Sequence, residues 1–175
     1  MKRIILTMAF LVTPTLGHAQ WGGHHGGGNH GGNKNKLAIK VAQNTAKTLR
    51  QYAQETKYES QTIAGLAGPR IAKKYGALSV SAKALGKKVR HVLVPALKAG
   101  KPGVRILQKV NKDFQEIKSL QRSINQALRR QGLQPSWEVK SVFQKLKTKM
   151  FRLNKVVKKN RGHGGFGEFF AAEAF

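Results

Sequence analysis

Three histidines near the amino end, His24, His25 and His30, have the widest chemical repertoire in this chain, because a neutral imidazole can ligate copper, nickel or zinc. They stand in QWGGHHGGGNHGGN, residues 20–33, where glycine lets the backbone converge on an ion but pre-organises nothing. No cysteine or carboxylate accompanies them. The expectation is a weak metal site that rests on composition, with an adventitious histidine-rich arm as the plainer reading. His91 and His163 each stand alone in sequence.

Acid–base and nucleophilic chemistry find less to work with. Glu55 and Glu59 are one helical turn apart, as are Asp113 and Glu116, which is ordinary for a helix surface and identifies no shared pocket. Gly100, Lys101 and Pro102 do not complete a phosphate loop, which needs an earlier glycine at the right spacing and Ser or Thr after the lysine. Cysteine is absent, so neither thiolate chemistry nor disulfides are available. These observations point away from an enzyme and imply no cofactor.

Charge is the dominant feature. There are 33 Lys and Arg against 7 Asp and Glu, for a net charge of +26. Most cations therefore have no internal partner, and the folded chain repels itself until salt or an anionic partner compensates. From Ser60 through Lys112 there is no acid at all, while Arg70, Lys73, Lys74, Lys83, Lys87, Lys88, Arg90, Lys98, Lys101, Arg105, Lys109 and Lys112 fall in that run. A second run holds Lys140, Lys145, Lys147, Lys149, Arg152, Lys155, Lys158 and Lys159. The anion-binding candidates are Arg70, Lys73, Lys74, Lys87, Lys88 and Arg90 from the first run, with all eight of the second. The expected partners are an anionic membrane surface, lipopolysaccharide or another acidic polymer. Nucleic acid ranks behind these, because the sequence carries an export leader and lacks zinc-finger spacing, an RRM signature and a recognition-helix motif.

That leader is residues 1–19: Lys2 and Arg3, an apolar stretch from Ile4 to Val12, Pro14, then small residues at Gly17 and Ala19 before Gln20. The layout is that of a cleaved signal peptide, which implies export to the periplasm or medium. Residues 20–35 read as a flexible Gly/His arm, 36–161 as a basic helical domain, and 162–175 as a glycine-rich, apolar tail.

Four stretches of the basic domain show the 3,4 apolar spacing of amphipathic helices. The first, Leu37 to Tyr58, has a weak face of Ala38, Ala42, Leu49 and Tyr52 and should be loosely held. The second carries Ile71, Tyr75, Leu78, Ala82, Leu85, Val89 and Val92 between Pro69 and Pro95, the latter expected to end or kink it. Ala64, Gly68, Ala72 and Gly76 lie four apart and offer a small-residue contact face. The third runs Leu107, Val110, Phe114, Ile117, Ile124 and Leu128, with Gln121 in the missing position, expected at a partly solvated seam, and Gly132 as a stop. The fourth has Ser136 as its N-cap and Val139, Phe143, Leu146, Met150, Leu153 and Val157 on one face.

The fold expected is all-α: antiparallel amphipathic helices in hairpins or a small bundle, with glycine-rich tails. The function expected is an exported cationic helical protein that binds an anionic envelope component or polymer. Two alternatives stand beside it. A membrane-active, antimicrobial or toxin-like protein would need the last apolar face exposed rather than in a core. Metal binding would run through the His/Gly arm.

Overall fold

The computed structural model describes residues 30–159, with side chains described from Asn35 onward. The leader, the arm up to residue 29 and the tail lie outside the described residues. The chain forms α1 (His30–Thr62), α2 (Ala64–Ala67), α3 (Pro69–Lys88), a π-helical turn (Val89–Leu93), α4 (Val94–Lys98), α5 (Val104–Arg130) and α6 (Trp137–Lys159), and no strand occurs among the described residues. The protein is therefore all-α, and α1 begins within the segment 20–35 that reads as an arm.

The four long helices alternate in direction. Running α3 back along α1 brings Gly86 to Leu49 and Ala46, and lets the Ser79 hydroxyl donate to the Ala53 carbonyl at 2.6 Å. Helix α5 reverses again, so that Lys88 meets Asp113 and the Lys74 ammonium meets Ser123 Oγ at 2.8 Å. Helix α6 returns beside α5, pairing Asn154 with Asn111, and closes on α1, where the Phe143 and Tyr52 rings stack at 5.4 Å. The result is an up–down–up–down bundle in which α1 is flanked by both α3 and α6.

That central place overturns the expectation that α1 is loosely held. Ala38, Ala42, Leu49 and Tyr52 are fully buried, and Ala46 and Ala53 nearly so. An alanine face gains little from each side chain, but it lets neighbouring backbones approach closely, and the gain is made up in dense contact. A Cβ at Gly86 would sit 3.4 Å from the Leu49 Cβ, so the missing side chain lets α3 lie close against α1 at this point. The small-residue face proposed upstream is only partly used: Ala72 is buried and Gly76 half-buried, whereas Ala64 is exposed and Gly68 lies at the break between α2 and α3.

Pro95 does not end its helix. Proline has no N–H to donate and its ring crowds the carbonyl four residues earlier. The π turn just before it widens the spiral, Val94 N–H bonding back to the Val89 carbonyl, and helical structure continues to Lys98. The extra residue rotates the apolar face: Val89, Leu93, Val94 and Leu97 are buried, and Val92, expected on that face, is 48 % exposed. The reversals from α4 to α5 and from α5 to α6 begin with the same device. Gly132 and Gly100 adopt φ of 71° and 68°, and behind each the next residue's N–H reaches five residues back, Leu133 to Leu128 and Lys101 to Ala96. This is the Schellman stop, which a residue with a Cβ would strain.

Helices α5 and α6 follow the apolar spacing closely. All six stripe residues of α5 are buried, and on α6 Val139, Leu146, Met150, Leu153 and Val157 face the core, joined by Val142, while Phe143 is half-buried. Ser136 caps α6, its hydroxyl accepting the Val139 N–H at 3.4 Å. Gln121 corrects the sequence reading. It is 2 % exposed and sits in the core rather than at a wet seam, because Tyr52 and Asn125 between them satisfy its amide.

Candidate anion-binding cleft

Five acids fall among the described residues, Glu55, Glu59, Asp113, Glu116 and Glu138, and the one ion pair among those residues is Lys88 with Asp113. The sequence-predicted cations therefore separate by task. Lys74 and Lys88 tie α3 to α5. Arg70, Lys73, Lys87 and Arg90 are exposed along α3 and the π turn, and Lys145, Arg152, Lys155, Lys158 and Lys159 are exposed along α6, with Lys149 half-buried. None of these ten lines the cleft between α5 and α6. Lys140 and Lys147 are different.

Helices α5 and α6 approach each other less closely than α1 approaches either neighbour, and the space between them forms an open cleft. Its volume is about 180 Å³, and it is lined by Lys118, Gln121, Arg122 and Asn125 from α5 and by Lys140, Phe143, Gln144 and Lys147 from α6. Each set has the spacing i, i+3, i+4, i+7, which is one helical face two turns long. Antiparallel packing points both faces at one volume. The charged lining is four cations and no acid.

A buried polar chain underlies this space. The Tyr52 hydroxyl donates to Gln121 Oε1, and Gln121 Nε2 donates to Asn125 Oδ1 at 2.7 Å. Burial, with a smaller contribution from Tyr75, pushes the Tyr52 hydroxyl far above the ordinary phenol range, so it keeps its proton and can donate to the Gln121 oxygen. Asn125 then spends its oxygen on Gln121 and keeps its NH₂ for another acceptor. Above the chain, Phe143 stacks on Tyr52, and the Lys147 ammonium lies 4.9 Å from the Phe143 ring centroid. Lys140 reaches Gln134 Oε1 at 2.8 Å. Tyr75 is the exception in this interior: its hydroxyl is buried without a hydrogen-bond partner among the described residues, and burial and then Glu59 raise its pKa.

Sequence reading named Lys140 and Lys147 but missed Lys118, Arg122, Asn125 and Gln144. The available signal was the matching polar quartet on two consecutive helices, which lies beside the apolar stripe. A further missed pattern is the outer stripe of α6, where Trp137 and Phe151 are 74 % and 71 % exposed in 3,4 register with Lys140, Gln144 and Lys147.

Among the described residues no group of three His, Cys, Asp or Glu could hold a metal ion, and no helix is long and apolar enough to cross a membrane. His24 and His25 lie outside those residues, and His30 enters only as the first position of α1. No protein-family model, no curated protein and no solved structure matches the chain.

Proposed function

We propose that this chain is an exported cationic binding protein, not an enzyme, that associates electrostatically with an anionic component of the cell envelope or with an acidic polymer. The observation that carries this reading is the missing counter-charge: 33 Lys and Arg face 7 Asp and Glu across the chain, and a single ion pair forms among the described residues. Export rests on the leader in residues 1–19, and its removal takes away only Lys2 and Arg3. Charge of this kind works through counterion release, so binding should weaken steeply as salt rises. The test is retention of the leader-cleaved protein on immobilised lipopolysaccharide, heparin, DNA and anionic vesicles over a salt gradient. Strong retention at low salt, lost by moderate salt, is expected; indifference to every polyanion in dilute buffer would sink the reading.

A second reading, a membrane-active protein, draws on Trp137 and Phe151, aromatic rings exposed beside lysines on the outer stripe of α6. The other apolar face of α6 is spent on the core, so Leu146→Glu or Leu153→Glu would test folding rather than insertion. Dye release from anionic vesicles, reduced by Trp137→Glu or Phe151→Glu, is the expected sign of membrane activity. Binding without leakage excludes it. Metal uptake through the arm is tested by deleting residues 20–33 and titrating copper or zinc.

A further inference from the structure

We infer that the α5–α6 cleft receives one terminal phosphate monoester, the head of a phosphorylated sugar or lipid. The inference rests on the anion-binding reading above and names the group that this cleft takes.

The size of the space sets the scale. A cleft of about 180 Å³ has room for one compact group between the two helices. The electrostatics set the charge. Lys118, Arg122, Lys140 and Lys147 line the cleft from two helices with no acid among the lining residues, which makes the space attractive to an anion. A carboxylate or phosphodiester brings one negative charge and two free oxygens. A phosphate monoester brings about −1.5 to −2 and three acceptor oxygens. Arg122 offers a planar fork for two of those oxygens, and the lysines offer compact point charges from both sides.

Uncharged donors complete the fit. The Tyr52–Gln121–Asn125 chain leaves the Asn125 NH₂ free to donate, and Gln144 lines the same cleft from α6. The stacked Tyr52 and Phe143 rings make a stiff floor, and the Lys147 ammonium rests over the Phe143 face. Gln121, Asn125 and Phe143 are therefore ordered before a ligand arrives, whereas Arg122, Lys140, Gln144 and Lys147 are exposed and become fixed on binding.

Calorimetric titration of the purified full chain with inorganic phosphate, glucose 6-phosphate and dimethyl phosphate tests the inference. Saturable one-to-one binding of the first two, about tenfold tighter than the diester, is expected. The pH dependence should come from the ligand, whose second ionisation lies near pH 6. The groups facing it are Lys118 and Arg122 from α5 and Lys140 and Lys147 from α6, with Tyr52 of α1 behind; none is a carboxyl or imidazole. Affinity for glucose 6-phosphate, a monoester, should therefore fall about tenfold from pH 7.5 to pH 5, while that for dimethyl phosphate stays level.

Arg122→Gln combined with Lys147→Gln should weaken phosphate binding at least about tenfold. Lys47→Gln with Lys57→Gln, exposed on α1 and equal in charge removed, should change it less than about twofold. Circular dichroism confirms that each variant folds, and Arg122→Gln alone serves if the double variant does not. Preference for phosphatidic acid over phosphatidylglycerol vesicles, lost in the cleft variant, assigns the phosphate to a lipid; preference for the sugar phosphate assigns it to a soluble or glycan carrier. Equal losses in both double variants, equal binding of diester and monoester, or no saturation would overturn the cleft. If heparin retention survives such a failure, the general anion-binding reading stands; if retention fails as well, both fall.

Discussion

Two seams of the same bundle are built to opposite ends. Between α1 and α3, Ala46, Leu49 and Gly86 bring backbones into contact; between α5 and α6, Lys118, Arg122, Lys140 and Lys147 line an open cleft above a polar floor. Both use the same helical periodicity. The difference lies in what stands beside the apolar stripe: small residues let helices close, whereas long cations need water or a counter-ion and hold them apart. The closed seam contributes packing, and the open one concentrates charge at a cost that the rest of the core must offset.

The largest test of this contrast is truncation on each side. Leu49→Ala, at a fully buried site against Gly86, should cost about 2–5 kcal/mol in urea unfolding. Phe143→Ala, in the half-buried lining of the cleft, should cost roughly half as much, because water can fill the space it leaves. Equal costs would erase the distinction.

Alkaline titration comes next. Burial raises the Tyr52 and Tyr75 phenols above their usual value of 10.0, so the folded state holds protons that the unfolded state releases. The stabilising contribution is whole below pH 10 and is lost as pH climbs above it, at roughly 1.4 kcal/mol per pH unit for each phenol. Tyr52→Phe combined with Tyr75→Phe should flatten the decline, followed by chemical denaturation at pH 9, 10 and 11. An unchanged slope would show that these phenols titrate normally.

Gln121→Leu should destabilise by about 1–3 kcal/mol, since it strands the buried Tyr52 hydroxyl. Adding Tyr52→Phe should recover much of the loss, and a double-mutant cycle measures the coupling. Additive effects would mean that the two side chains do not act together. Tyr75→Phe is the smallest change expected. Its hydroxyl has no partner among the described residues, so removal should be neutral or stabilising by up to about 1 kcal/mol in the same unfolding assay.

Legibility in the sequence follows the same division. Leu107, Val110, Phe114, Ile117, Ile124 and Leu128 could be placed on a buried face from spacing alone, and so could most of the α6 stripe, because a strongly amphipathic helix has one way to hide its apolar side. The stop at Gly132 and the start at Ser136 were readable for the same local reason. Helix α1 was misjudged because its alanines carry little hydrophobic signal, and their value emerges only once α3 and α6 lie against them. Val92 was misplaced because spacing cannot reveal a π turn that shifts the register by one residue.

The cleft shows the limit most clearly. Lys140 and Lys147 were recognisable as cations, but nothing local distinguishes them from Lys145 or Lys155. Their pairing with Lys118 and Arg122 depends on the alignment of antiparallel helices about twenty residues apart in the chain, and the burial of Gln121 depends on Tyr52, 69 residues away. Helical class, charge and the positions of the turns are properties of short segments, set by periodicity, composition and capping. Which cations share one space, and which amide lies dry beneath them, are properties of how the segments meet, because electrostatic and hydrogen-bond partners are chosen by distance through space.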